Sequence, residues 1–237
     1  MTKELIKAKL KASAIHLGIS AVIFLGILYF ILIEWYPGAF FYAEGGWKGV
    51  KLMVMVDLVL GPSLTLIIFN YTKSKKEIFV DFSFIAIVQI SALIWGGLQV
   101  YSERPVAMVM WEGVFYTVTE DYYAKQGIDL KDLATYSEDR PLIIYAKTDD
   151  SVEQLEKIQL LNKQKIPPYA QVHLYESVKN NIDAVLSYQL SEDYRSVYLA
   201  ENTSIKNQHF FPAKAKYNNL LVSLDAKAGL LDIMIKP

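Results

Sequence analysis

Between Lys51 and Lys73 the sequence reads LMVMVDLVLGPSLTLIIFNYT, with Asp57 its one charged residue and Gly61-Pro62 one helical turn further on. An ionisable side chain inside a run of this length and hydrophobicity is expensive in lipid, so it is a functional hypothesis by default. Acid–base chemistry of the aspartyl kind needs two carboxylates facing one another and sharing a proton. Asp81 is the other candidate, and it falls at the opposite membrane face, roughly 20 Å away along the normal. No glycine-flanked aspartate motif accompanies either. The chain has no cysteine, which removes thiolate nucleophiles, disulfide exchange and zinc–thiolate sites together. His173 and His209 lack metal-ligand spacing, and neither a phosphate loop nor a nucleophile elbow is present. The expectation is therefore no catalytic, cofactor or metal site, and a protein that is not an enzyme.

The elements that position Asp57 follow from charge-free length. Residues 12–33 and 82–102 are two more runs without a formal charge, so three segments each reach across a hydrocarbon core of about 30 Å. Spans are expected at about 12–33, 52–72 and 82–102, within a membrane domain of residues 1–103. Residues 104–237 carry ordinary globular patterning, and residues 102–237 hold a net charge of −4 against +3 for residues 1–101, so the overall −1 and mean hydropathy of +0.21 average two unlike parts. An acidic domain without a basic stripe argues against nucleic acid as a partner.

Lysine placement sets the expected orientation. Lys3, Lys7, Lys9 and Lys11 precede the first span and Lys73, Lys75 and Lys76 fill the second loop, whereas the first loop (34–51) holds only Lys48 and Lys51. That bias puts the N-terminus in the cytoplasm and, after three spans, the C-terminal domain outside. The first run is too long for a signal-peptide core, so it is expected to be a retained anchor. An external domain without disulfides fits a bacterial periplasm, and hence an inner membrane.

Counting from the run ends, Asp57 lies about 9 Å inside the external end of the second span. Tyr29, Trp95 and Gln99 are then its level neighbours, with His16 and Gln89 nearer the cytoplasmic face. Two readings stand: an interhelical hydrogen bond from Asp57 to Tyr29, Gln99 or water, or a contact for the transmembrane helix of a client. Pro62 removes a backbone donor and crowds the carbonyl of Leu58, so a break or bend is expected there, with Gly61 taking up non-helical backbone. Ala14/Gly18 and Ala92/Gly96 have the spacing that permits close helix approach. In the first loop, Trp35, Tyr36, Phe40, Phe41, Tyr42 and Trp47 fall within fifteen positions, punctuated by Pro37-Gly38 and Gly45-Gly46. They serve either as an aromatic belt at headgroup depth or as a partner-docking surface.

The combination Tyr36-Pro37-Gly38, Gly45-Gly46-Trp47, Asp57-Leu58-Val59-Leu60-Gly61-Pro62 and Arg104-Pro105 resembles the type IV pilin accessory proteins of the TfpX/TfpZ kind. The resemblance covers roughly residues 12–112 well and the remainder loosely. It implies an inner-membrane accessory factor that acts on the major type IV pilin of its own system, assisting its assembly or pilus dynamics, with no catalytic role to carry over. The alternative is a sensory or scaffolding subunit of another envelope complex. The candidate partner or structural residues are Trp35, Tyr36, Pro37, Phe40, Phe41, Trp47, Asp57, Gly61, Pro62 and Gln99, with the lipid bilayer as the other partner.

The C-terminal segment predicts an α+β domain with an antiparallel sheet. VAMVM (106–110) and VFYTV (114–118) flank Trp111-Glu112-Gly113 as a hairpin, and Thr119 caps a helix over 120–126 closed by Gly127. PLIIYA (141–146) is a third strand. Asp150 and Glu153 open a helix to about 163, striped by Val152, Leu155, Ile158 and Leu161. A further helix is expected over 174–190, and a second hairpin from 219–225 and 230–236 around Ala226 to Gly229. Tyr188, Tyr194 and Tyr198, or the terminal strand, are the domain's interaction candidates.

Overall fold

The computed structural model describes residues 2–149, 151–191, 208–225 and 230–235. The chain divides into two compact units, Met1–Pro37 with Gly46–Tyr101, and Gly38–Gly45 with Ser102–Pro237.

Three helices long and apolar enough to cross a membrane make the first unit: Lys3–Trp35, Gly46–Ile68 and Lys75–Ser102. The Thr2 hydroxyl caps the first of them, accepting from the Leu5 amide at 3.3 Å. The second begins before Leu52 and ends before Thr72, so Lys48 and Lys51 lie on the helix and not in a loop. Lysine stems are long enough to lie along apolar surface and carry their charge to the interface, which is why the charge-free run misplaces the starting end; the other end stops at Ile68 because Phe69 is already extended. A lysine also opens the third helix, and Asp81 within it pairs with Lys73 at 2.6 Å.

The disruption expected at Pro62 takes the form of a π-helical stretch, Met55–Leu60, running directly into α-helix Gly61–Ile68. The Gly61 amide reaches five residues back to the Val56 carbonyl. Pro62 then falls in the first turn of the α-helical segment, where a missing donor matters least. Gly61 is helical (φ −58°, ψ −56°), against the expectation that it leaves helical space, because the π turn absorbs the misfit upstream. The Ser63 hydroxyl donates to the Val59 carbonyl at 2.6 Å. Of the two small-residue pairs, Gly96 lies against Met53, whereas Gly18 faces open space.

The second unit is built on a seven-stranded sheet in the order β4-β3-β1-β2-β5-β6-β7, comprising Pro105–Trp111 (β1), Val114–Thr119 (β2), Leu142–Ala146 (β3), Tyr175–Ser177 (β4), His209–Lys214 (β5), Asn219–Leu224 (β6) and Leu230–Ile235 (β7). The α+β class is as expected. Four ladders are antiparallel, but β1–β3 and β2–β5 are parallel, so the sheet is mixed. Parallel neighbours need a crossover, which the helix Glu120–Lys125 and the loop behind it supply between β2 and β3. The β1–β2 hairpin turns at Glu112 (φ 47°) and Gly113 (φ 81°), two left-handed residues in succession, as a tight turn between twisted strands requires. Thr119 accepts from the Tyr122 amide at 3.3 Å and caps Glu120–Lys125.

Both faces of β1 are covered, so its apolar run is continuous and does not alternate. Ala107 and Val109 face a cluster with Val118, Tyr123, Leu133, Ile144, Leu174 and Tyr175. Inside it the Tyr123 and Tyr175 hydroxyls meet at 2.8 Å, and Tyr175 donates onward to the Tyr169 carbonyl at 2.9 Å.

Two expectations fail locally. The helix Val152–Lys163 starts at Ser151, whose hydroxyl accepts from the Gln154 amide, and Asp150 lies outside the described residues. No residue of that helix is fully buried, and Val152 and Leu155 on its predicted stripe are exposed. The single helix expected over 174–190 is divided into β4, a 3-10 turn Val178–Asn181 and a short helix Ile182–Leu186, because residues 175–177 pair with β3. The terminal hairpin forms as β6–β7, with residues 226–229 outside the described set.

Candidate functional site

Asp57 sits midway along its helix, in the π-helical stretch, and only 6% of its surface is exposed. Among the described residues no group hydrogen-bonds its carboxylate. Its backbone carbonyl, freed by the π turn, accepts from Gln89 Nε2 at 3.5 Å. Gln89 Oε1 in turn meets His16 Nε2 at 2.8 Å, and His16 Nδ1 meets the fully buried Thr65 hydroxyl at 2.6 Å. One turn earlier on the first helix, Ser13 donates to the Pro62 carbonyl at 2.8 Å. Polar side chains from all three helices therefore meet at one level, each exchanging water for a partner that lipid cannot supply.

His16 and Gln89 stand where Tyr29 and Gln99 were expected. Tyr29 and Gln99 are exposed, and Tyr29 lies edge-on to Phe30. Moving the second helix to Gly46–Ile68 moves Asp57 from its end to its middle, level with the middle of the third helix, where Gln89 lies. The signal in the sequence was present: both residues are isolated polar groups in apolar runs, and a depth count from the wrong helix end separated them.

Gly61 has a use here that its helical backbone conceals. A Cβ on Gly61 would lie 2.0 Å from Gln89 Nε2, so only glycine lets the amide reach the Asp57 carbonyl and His16 together.

Beside this cluster opens a cavity of about 690 Å³, lined largely by apolar side chains. The first helix contributes a stripe from Ala8 to Ile23, the third a stripe from Phe82 to Leu93, and the second contributes Asp57 and Phe69.

The aromatic residues of the first loop divide by role. Tyr36 is buried and donates its hydroxyl to the Val100 carbonyl at 2.8 Å, closing the first helix onto the third. Trp35 meets Tyr101 edge-to-face at 5.1 Å between centroids. Pro37 is half-buried, and Gly38 turns the chain with φ 59°. The segment Gly38–Gly45 belongs to the sheet-bearing unit, where Phe40 and Ala43 are fully buried. The Ala43 carbonyl accepts from the Tyr217 amide at 2.8 Å, and the Gly45 Cα lies close against the Tyr217 ring. Glu44 is buried with them, accepting from the Thr117 hydroxyl and the Lys216 amide. Burial pushes the Glu44 carboxyl above its ordinary value, with the Thr117 and Lys216 hydrogen bonds opposing. Phe41 is partly covered, whereas Tyr42 and Trp47 face outward, Trp47 beneath the Lys48 ammonium. Nothing in the sequence marked this segment as part of a sheet domain that begins more than fifty residues later.

Among the described residues no cluster of His, Asp and Glu has the arrangement to hold a metal ion. Tyr188 is exposed, and Tyr194 and Tyr198 lie outside the described residues.

Three helices of spanning length with a separate sheet-bearing unit define an integral-membrane protein with a folded α+β domain. The chain is 38% identical to the fimbrial assembly protein of serogroup E1 from Dichelobacter nodosus and 37% identical to that of serogroup I, in each case over 46% of this chain and 42% of the relative. It is 37% identical to the protein of serogroups C1 and C2 from the same organism, over 46% of this chain and 83% of the relative. The chain belongs to this family of fimbrial assembly proteins. The matched stretch spans less than half the length of the first two relatives. No family model matches the chain, and no solved structure does.

Proposed function

We propose that the chain is an accessory factor of type IV fimbrial biogenesis in the bacterial inner membrane, of the TfpX/TfpZ kind. In this reading it binds its cognate major pilin and assists pilin assembly or pilus dynamics by contact and not by catalysis. Its N-terminus is cytoplasmic and its α+β domain periplasmic. The observation that carries the reading is the likeness to proteins named for fimbrial assembly, at 37–38% identity. The lysine bias across the three helices supports the orientation, and a polar cluster that spends its donors on holding helices together supports a contact role.

The test is deletion and complementation, scored by surface fimbriae, with co-purification of pilin on the tagged full chain. Loss of fimbriae together with recovery of pilin is expected. Normal fimbriae after deletion, with a different protein recovered, would transfer the chain to a sensory or scaffolding role in another envelope complex.

A further inference from the structure

We propose that the groove between the first and third helices seats a fourth transmembrane helix, that of the fimbrial subunit, which presents a hydrogen-bond donor to Asp57. This rests on the pilin-binding reading and adds the place and chemistry of the contact.

The two walls have helical spacing. Ala8, Ala12, Ile15, Ile19 and Ile23 recur every three or four residues on the first helix, and Phe82, Ala86, Ile90 and Leu93 do so on the third. Both stripes face the same space, and the first and third helices touch beside it where His16 Nε2 meets Gln89 Oε1 at 2.8 Å. Two helices that meet through His16 and Gln89 and still leave apolar stripes facing one open space leave room beside them for a further helix. From Ala8 to Ile23 the groove runs about 22 Å, or some four helical turns. A helix laid along it inserts one or two side chains per turn.

Asp57 decides between occupants. It is more than nine-tenths buried, lines the groove, and its carboxylate has no hydrogen bond among the described residues. The polar groups around it are turned to other uses: His16 to Thr65 and Gln89, and the Gln89 amide to the Asp57 backbone. Ser20, also buried, lines the same space. A lipid tail would fill the volume and leave the carboxylate unanswered, at a large cost in a medium without water. A helix that carries a hydroxyl, amide or amine at this level answers it.

The experiment places a photoreactive amino acid in the full chain, in cells making the fimbrial subunit. Ile19 and Ile90 line the groove, whereas Val22 and Ile87 are exposed without lining it. Subunit adducts are expected from Ile19 and Ile90 and not from Val22 or Ile87. Asp57→Leu should lower the groove adducts about 3- to 30-fold, the range of an interhelical hydrogen bond in lipid. Asp57→Asn, which keeps a carbonyl acceptor, should retain most of them at equal chain level and melting temperature. Ile19→Trp, which fills the groove from an exposed position, tests the site without touching Asp57 and should block the Ile90 adduct. Adducts with phospholipid or a second copy alone, or subunit adducts equal at all four positions, would overturn the proposal. If the groove positions yield nothing while pilin still co-purifies, the groove assignment falls and the pilin-binding reading stands. If pilin is neither crosslinked nor co-purified and fimbriae survive deletion, both fall.

Discussion

Replacing Gly61 with alanine tests the polar cluster through its tightest approach. The new Cβ would lie 2.0 Å from Gln89 Nε2 and 2.7 Å from its Cδ, so the amide must retreat by about 1.4 Å to reach an ordinary 3.4 Å contact. That retreat breaks the 2.8 Å contact with His16 and the 3.5 Å bond to the Asp57 carbonyl. At about 0.6–1.7 kcal/mol for each interhelical hydrogen bond in lipid, the loss of both comes to about 1–3 kcal/mol. Alanine is also the better helix former, by about 1 kcal/mol. The net destabilisation of Gly61→Ala is therefore about 0–2 kcal/mol, a range too near zero to be informative alone. The sign in a second background is informative. In Gln89→Ala the steric conflict and both bonds are already gone, so adding Gly61→Ala should stabilise by about 1 kcal/mol. The two changes should couple by about 1–3 kcal/mol, read from unfolding in mixed detergent micelles. Additive effects, with Gly61→Ala behaving alike in both backgrounds, would refute the role assigned to the Gly61–Gln89 approach.

Three further outcomes follow from the sheet-bearing unit and the topology. Burial holds the Glu44 carboxyl above its ordinary 4.5, so the folded state binds that proton more tightly than the unfolded chain does. The stability linked to it is fully present below pH 4.5 and is lost as the pH rises through the raised value. Glu44→Gln should flatten this window in pH-dependent melting, and an unchanged profile would contradict it. Phe40→Ala removes a fully buried ring and should cost about 3–5 kcal/mol, with hydrogen exchange rising first in residues 38–45; exchange that stays at the wild-type rate would detach this segment from the core. Because the chain lacks cysteine, Lys76→Cys and Lys163→Cys are clean single reporters. An impermeant thiol reagent applied to spheroplasts should label the second and spare the first, and the reverse pattern would invert the proposed orientation.

Much of the architecture was legible in local patterns. The hairpin around Glu112-Gly113 depends on residues adjacent in the chain, as does the Thr119 cap, and both appear where the sequence places them. Strands β4 and β5 were not legible. Residues 175–177 open a segment whose helical spacing lies at Val178, Ile182, Val185 and Leu186, yet they become a strand beside β3. HFFPAK (209–214) contains Pro212, which precedes the parallel ladder beginning at Ala213 and lies opposite Leu221 of β6. Pairing is a non-local event, and neither segment advertises its neighbour.

The sequence by itself determined that three segments are long and apolar enough to span a membrane, that a mixed helix-and-strand domain follows, and that Asp57 is anomalous. These depend on length, hydrophobicity and turn residues, which are properties of the local chain. Only the tertiary structure decided what Asp57 lies beside and where the first loop belongs. Helix ends float by several residues because lysines can snorkel, and that shift is enough to exchange Tyr29 and Gln99 for His16 and Gln89 at one level. Likewise Phe40, Ala43 and Glu44 have aromatic and turn-rich neighbours like any interfacial loop, and only the edge formed by Thr117, Lys216 and Tyr217 makes them part of a folded core.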